Sequence, residues 1–259
     1  MVCRLGLMVL FLFTALQTKA QAKDVSSAGK VPVFGTWIGP EGEYLELQQN
    51  KAFVSIGYRH RETFLEVSDT LLTMNGAPAI ESGKTVDRSN AREDFKVLTL
   101  TKDTLVIQAT NTAAISVFKT PRPIIFVNRD FYIRQAIDFH GLIYTCSGDA
   151  TQEKAKKVKL AIDEAGGTKF WHAAALAHNA EPKISKLAAA QLDSLNFLLR
   201  QSALDRFSMP RTTWSTAAIY TFRISYNSTT VNAGGQVIPY AGTALKTFLD
   251  QICIYESSK

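Results

Sequence analysis

Tyr44-Leu45-Glu46-Leu47-Gln48-Gln49-Asn50-Lys51-Ala52-Phe53-Val54-Ser55-Ile56-Gly57-Tyr58 is the stretch on which the fold turns. Residues 44–47 alternate, residues 53–58 alternate again, and Gln49-Asn50-Lys51 has the polarity of a turn between them. A period of two places every second side chain on one face, so each segment predicts a strand with one wet side. Outward from this hairpin the same signature returns at 63–67, 95–100, 105–109, 115–118 and 124–127. Thr101-Lys102-Asp103-Thr104 joins two of these strands tightly, as a hairpin. Residues 75–93 are polar and punctuated by Gly and Pro, and read as a long loop, either a lid or simply disordered. Many short strands without a helical period predict an antiparallel barrel or sandwich.

The second half changes period. Residues 133–146 and 158–162 read as strands, and Asp163-Glu164-Ala165-Gly166-Gly167 turns the chain into an extended segment at 168–174. Ala188, Leu192, Leu195 and Leu199 then stand at helical spacing, with Ser185 as the expected cap after Pro182. Residues 219–226 alternate as a strand, Asn227-Ser228 is the turn after it, Gly234-Gly235 reads as another turn, and 236–240 as a short extended piece. Leu245, Phe248, Leu249 and Ile252 share one face of a final helix. This order predicts an α+β domain, an antiparallel sheet with two helices on one face.

Ahead of both halves, Met1-Val2-Cys3-Arg4 precedes an apolar run at 5–16 and the ending Ala20-Gln21-Ala22. One early cation, about a dozen apolar residues and an A-x-A ending are the layout of a secretory signal peptide. A bilayer span needs roughly 20 apolar residues, so cleavage after Ala22 is expected rather than an anchor, with no transmembrane span afterwards. The chain therefore divides into a signal peptide (1–22), a β-barrel or sandwich domain (23–130) and an α+β domain (131–259). The product is expected to be exported, to the periplasm or beyond the cell.

The formal charge of +6 falls to +4 once Arg4 and Lys19 leave with the signal. No run of five or six like charges exists, which argues against a nucleic-acid partner. Lys154, Lys156, Lys157 and Lys159 form the densest basic cluster and read as a solvated loop and strand edge. Cys3 also leaves with the signal. Cys146 and Cys253, an even pair bound for an oxidising compartment, read either as a disulfide or as two buried thiols. A bond between them would close a loop of about 107 residues, for which chain entropy gives about 4.7 kcal/mol before strain. His140 lies six residues before Cys146, about 20 Å along a regular strand, so the two cannot act as a Cys–His pair.

Gly35-Thr36-Trp37-Ile38-Gly39 resembles the G-x-W start of lipocalin-like domains in exported bacterial proteins. There the tryptophan closes one end of the barrel rather than touching ligand. The second half is similar in layout to a family of exported bacterial α+β domains of unknown function. The matching pieces are the turn Ile162-Asp163-Glu164-Ala165-Gly166, the leucines from Leu192 to Leu199, Ile224-Ser225-Tyr226-Asn227, Ile238-Pro239 and the helix at 245–252. A Cys-Gly-x-Cys-Pro segment usually precedes the hairpin in that family, where this chain has Cys146-Ser147-Gly148-Asp149. The resemblance implies export and a fold; it implies no activity.

Signatures of catalysis are absent from the sequence. His60, His140, His172 and His178 belong to no ligand motif such as H-E-x-x-H. There is no G-x-S-x-G elbow and no phosphate-binding glycine loop. Glu41, Glu43 and Glu46 read as the wet face of a strand. Tyr58-Arg59-His60-Arg61 is either a solvated strand end or a reader of an anionic group at a barrel mouth. Trp171 and Trp214 are the aromatics that would stack on a sugar or peptide if exposed. The reading is an exported, non-catalytic binding or envelope-interaction protein that needs no cofactor or metal. Its partner is an unknown small molecule or an envelope protein. The alternative is a hydrolase of envelope or dietary polymer working through unrecognised carboxylates.

Overall fold

The alternating segments of the first half close into a barrel. The structure, a computed structural model, describes residues 33–56, 59–76, 79–81, 84–86, 92–147, 157–203, 219–235 and 238–258. Its strands run β1 (Gly35–Ile38), β2 (Tyr44–Leu47), β3 (Lys51–Ile56), β4 (Arg59–Ser68) and β5 (Leu71–Gly76). A separate small hairpin of β6 (Ala79–Glu81) and β7 (Lys84–Val86) follows, then β8 (Arg92–Leu100), β9 (Thr104–Ala109) and β10 (Ile124–Asn128). Eight of these form a closed antiparallel meander in the order β1-β10-β9-β8-β5-β4-β3-β2. Closure comes from β1 and β10, with Trp37 opposite Asn128 and Ile38 opposite Val127.

Alternation fills the inside. Leu45 and Leu47, Ala52 and Val54, Leu72 and Met74, and Leu105 and Ile107 all point into one buried cluster with Trp37, Phe95 and Phe126. Trp37 donates its indole N–H to the Val33 carbonyl at 2.8 Å. The barrel is packed with side chains, as small barrels are. The tight turn predicted at 101–104 is present: the Thr101 N–H donates to the Thr104 carbonyl at 2.8 Å. The long loop read at 75–93 instead carries the β6–β7 hairpin and the first residues of β8.

Residues 115–118, predicted as a strand, belong to helix α1 (Thr112–Phe118). The Asn111 side chain caps it by accepting the Ala114 N–H at 2.9 Å. Phe118 then reaches back edge-on to Phe95 (5.3 Å between centroids) and Phe126 (6.1 Å). Residues 133–138 are likewise not strand. Helix α2 (Arg129–Arg134), capped by Asn128, takes residues 133–134, residues 135–138 connect, and the next strand starts at Phe139.

The second half forms a six-stranded antiparallel sheet from β11 (Phe139–Cys146), β12 (Val158–Asp163), β13 (Gly167–Trp171), β14 (Lys183–Lys186), β15 (Tyr220–Tyr226) and β16 (Thr229–Gly235). Its order is β14-β13-β12-β11-β15-β16. The Asp163 turn forms as predicted, with the carboxylate accepting the Ala165 and Gly167 N–H groups at 3.0 and 2.7 Å. Asn227, at φ 49°, turns β15 into β16, where Tyr226 faces Thr229. Helix α3 (Ala173–Ala177) cuts short the extended segment expected to reach residue 174.

Two leucine-rich helices, α4 (Ala189–Gln201) and α5 (Thr243–Ser258), bury Leu195, Leu199, Leu245 and Leu249 in the same core as Leu142, Leu160, Phe222 and Ile224. Ser185 is not their cap. It lies in β14, and Gln191 caps α4 by accepting the Ala188 N–H at 2.9 Å. Residues 234–235 are not a turn either but the end of β16.

The barrel and the sheet have separate cores, joined by a third buried cluster of Ile38, Tyr44, Tyr132, Ala203 and Ala241. At its rim Tyr240 lies 4.8 Å from Tyr44 and 4.7 Å from Phe53, and Arg129 donates to Gln201 at 2.8 Å. All of this falls within one compact unit, Val31–Lys259. Among the described residues no helix is long and apolar enough to cross a membrane.

Candidate functional site

Alternation along the second sheet sends Leu142, Tyr144, Leu160, Ile162, Phe222 and Ile224 towards the helices. Their odd-numbered neighbours therefore occupy the opposite face. Register aligns those neighbours into rows across the strands. In one row Trp171 faces Lys159, Lys159 faces Thr145, Thr145 faces Thr221, and Thr221 faces Gly234. In the adjacent row Ile184 faces Lys169, Lys169 faces Ala161, Ile143 faces Arg223, and Arg223 faces Asn232. Ile184 is 77% exposed, and Lys169, Thr221, Arg223 and Asn232 are exposed as well.

Two shallow depressions lie on this face. One, about 310 Å³, has Ile143, Thr221, Arg223, Asn232 and Gly234 along it. Its floor depends on glycine, because a Cβ at Gly234 would come within 3.1 Å of Thr221 Cγ2 and 3.3 Å of the Tyr220 carbonyl. The other, about 230 Å³, lies between Trp171, Lys159 and the α3 residues Ala175 and Leu176. The Lys159 ammonium sits 4.7 Å from the centre of the Trp171 ring, a cation–π contact. Helix α3 is held against this end by His172, whose Nδ1 accepts the Ala175 N–H at 3.3 Å.

Beneath the sheet, on the side of the helices, lies a group of perturbed titratable side chains. Tyr144 donates to Asp250 at 2.6 Å, and Lys246 donates to the other Asp250 oxygen at 2.5 Å. The Lys246 ammonium also lies 4.4 Å from the Tyr220 ring centre. Burial, then the Asp250 carboxylate, push the Tyr144 hydroxyl far above the ordinary tyrosine range. The same two causes raise Cys146 and push Cys253 up to about 12. Both cysteines are free thiols in one core, with no bond between them. A thiol held protonated is a poor nucleophile. The cluster is a half-buried network in which Lys246 and Asp250 are paired with each other.

The remaining sequence candidates scatter. Arg61 points into the barrel and meets Glu93 through both terminal guanidinium nitrogens, Nη1 at 2.6 Å. His60 lies outside, hydrogen-bonded to Ser55 at 2.8 Å and stacked on Phe53. His140 donates Nε2–H to the Asn227 carbonyl at 2.8 Å, and His178 ends α3. Glu43, half-buried, accepts the Glu41 N–H at 2.9 Å, and desolvation raises its pKa; Glu46 accepts from Gln48. Among the described residues no three His, Cys, Asp or Glu side chains are grouped to hold a metal. Trp214, Tyr58, Lys154 and Lys156 lie outside the described residues.

Among the described residues, the sequence candidates Trp171 and Lys159 fall on the open face. Lys169, Arg223 and Asn232 were missed. Each is an outward position of an alternating strand, and only register brings them together. No family model matches the chain, and no curated protein or solved structure matches it.

Proposed function

We propose that this is an exported, non-catalytic binding protein that engages a macromolecular partner of the cell envelope with the open face of its second sheet. The observation that carries this is the contrast between the two sheets. The barrel that would hold a small ligand is filled by Trp37, Phe95, Phe126 and their neighbours. Both depressions instead lie on the face of the second sheet opposite α4 and α5. Shallow, open surfaces suit extended partners better than drug-sized ones, which need enclosure. The 1–22 segment supports export. The G-x-W start, on a closed eight-stranded meander with its tryptophan in the core, supports a lipocalin-like ancestry for the barrel. The separate cores support reading barrel and sheet as two domains meeting near residue 130.

The test is a photo-reactive residue at Asn232, against one at Gln108 on the barrel, in protein exported by its own host. High-mass adducts from Asn232 and none from Gln108 are expected. Native mass spectrometry of the same protein carrying a discrete small-molecule mass would overturn the reading in favour of a ligand-binding barrel.

A further inference from the structure

We infer that the partner of the open face is an anionic polysaccharide lying across the strands; this rests on the open face being the binding surface. The first ground is charge. In an exposed sheet face, cations are commonly set opposite carboxylates. Here Lys159 faces Trp171 and Thr145, Lys169 faces Ala161 and Ile184, and Arg223 faces Ile143 and Asn232. None of the three has a carboxylate across from it, and among the described residues none forms an ion pair. Three cations with no carboxylate directly opposite outnumber the acid of the same alternation, Asp163 at the end of β12, whose carboxylate accepts the Ala165 and Gly167 N–H groups. The excess is a positive field awaiting negative charge from outside.

The second ground is spacing. Strands lie about 4.8 Å apart, so Lys169 on β13 and Arg223 on β15, three strands along, are about 14 Å apart at the backbone. An extended polymer with carboxylates at regular intervals reaches both, with Lys159 between them.

The third ground separates sugar from peptide. Every strand between the edges has both sides of its backbone in the ladder, so a peptide lying across the face finds no main-chain partner. Strand addition is an edge phenomenon. The face offers the Thr145 and Thr221 hydroxyls, which bond each other and keep one donor and further lone pairs between them. These and the Asn232 amide suit sugar hydroxyls, and the Trp171 indole suits the C–H face of a pyranose. Gly234 keeps the Arg223 depression open for a ring to settle.

The test uses the whole protein with polygalacturonate as probe, dextran as its neutral counterpart and poly-L-glutamate as the acidic peptide, followed by calorimetry. Polygalacturonate is expected to bind, and to bind less tightly as salt is raised from 50 to 500 mM (roughly, a Debye length falling from above 10 Å to below 5 Å). Arg223→Gln and Lys169→Gln, both at exposed positions, are each expected to weaken it about tenfold, an ordinary loss for one charged contact. Lys96→Gln on the barrel should change nothing, and Trp171→Ala should weaken polygalacturonate without a change in the urea midpoint beyond that of Lys96→Gln. Equal binding of poly-L-glutamate, binding indifferent to Arg223 and Lys169, or no binding of polygalacturonate overturns the inference. If polygalacturonate fails while Asn232 still cross-links in the host, the inference falls and the binding face stands. If both fail, the reading beneath it falls too.

Discussion

Arg61 on β4 and Glu93 on β8 meet inside the barrel, two nitrogens on two oxygens, with Glu93 only 3% exposed. β5 separates their strands, so the pair reaches across a whole strand within the barrel wall. A buried carboxylate tolerates its site only because the guanidinium is there.

Arg61→Ala is therefore expected to destabilise the protein by about 3 kcal/mol, because it leaves Glu93 buried and unpaired. Arg61→Leu/Glu93→Leu should recover most of that loss, since removing both charges also removes their desolvation cost. Urea unfolding of both variants checks this. A single variant no worse than the double would show that Glu93 is solvated.

Alkaline pH should unfold the protein earlier than its acidic side suggests. Cys253 is raised to about 12, and Cys146, Tyr44, Tyr144, Tyr220 and Lys246 are raised as well. A raised folded pKa contributes stability that is complete below the unfolded value and is lost as pH climbs towards the folded one. For Cys253 the window opens near pH 9 and closes near 12. Within it the loss is about 1.4 kcal/mol per pH unit for one fully titrating group. Urea midpoints between pH 8 and 10.5 should fall more steeply in the wild type than in Cys253→Ala.

Both thiols should be free in the purified protein. Alkylation in denaturant without reductant, followed by peptide mapping, is expected to label Cys146 and Cys253 completely. Recovery of the two peptides as one disulfide-linked species would show that the pair is oxidised in the cell. In native buffer at pH 8 Cys253, 5% exposed, should react far more slowly than in denaturant.

Asn111→Ala should cost about 1 kcal/mol, the ordinary worth of a helix cap. The residue also donates its amide to the Arg92 carbonyl at 2.9 Å, tying α1 to the barrel wall. Thermal melting checks it; Asn111→Asp should retain the cap but lose both amide donations, to the Arg92 carbonyl and to Asp94 at 3.2 Å, and so should restore only part of the loss.

Much of the barrel was legible because its strands have one wet face and one dry one, as Tyr44–Leu47 and Lys51–Ile56 illustrate. Ile115, Val117 and Phe118 misled because β-branched and aromatic residues favour strands locally, while Asn111 and the packing of Phe118 on Phe95 decide for a helix. Gly234 and Gly235 read as a turn, yet Gly234 is where Thr221 of the neighbouring strand stands 3.1 Å from the place a Cβ would take. Ser185 looked like a helix cap, but its hydroxyl is bonded to Thr168 and Glu256. The open face was the least legible part. Lys159, Lys169 and Arg223 are far apart in sequence, and only the strand order places them on one surface.

Closure of the barrel by Trp37 opposite Asn128 sets an order of assembly. Seven of its eight strand pairings join strands adjacent within the barrel's own meander, and each can zip as soon as its second strand emerges. The eighth must wait about ninety residues for β10. Until then β1 presents an unpaired edge, the state in which β-chains seek one another. A chain stalled before Asn128 is thus an open, sticky sheet, and a chain that passes it seals itself.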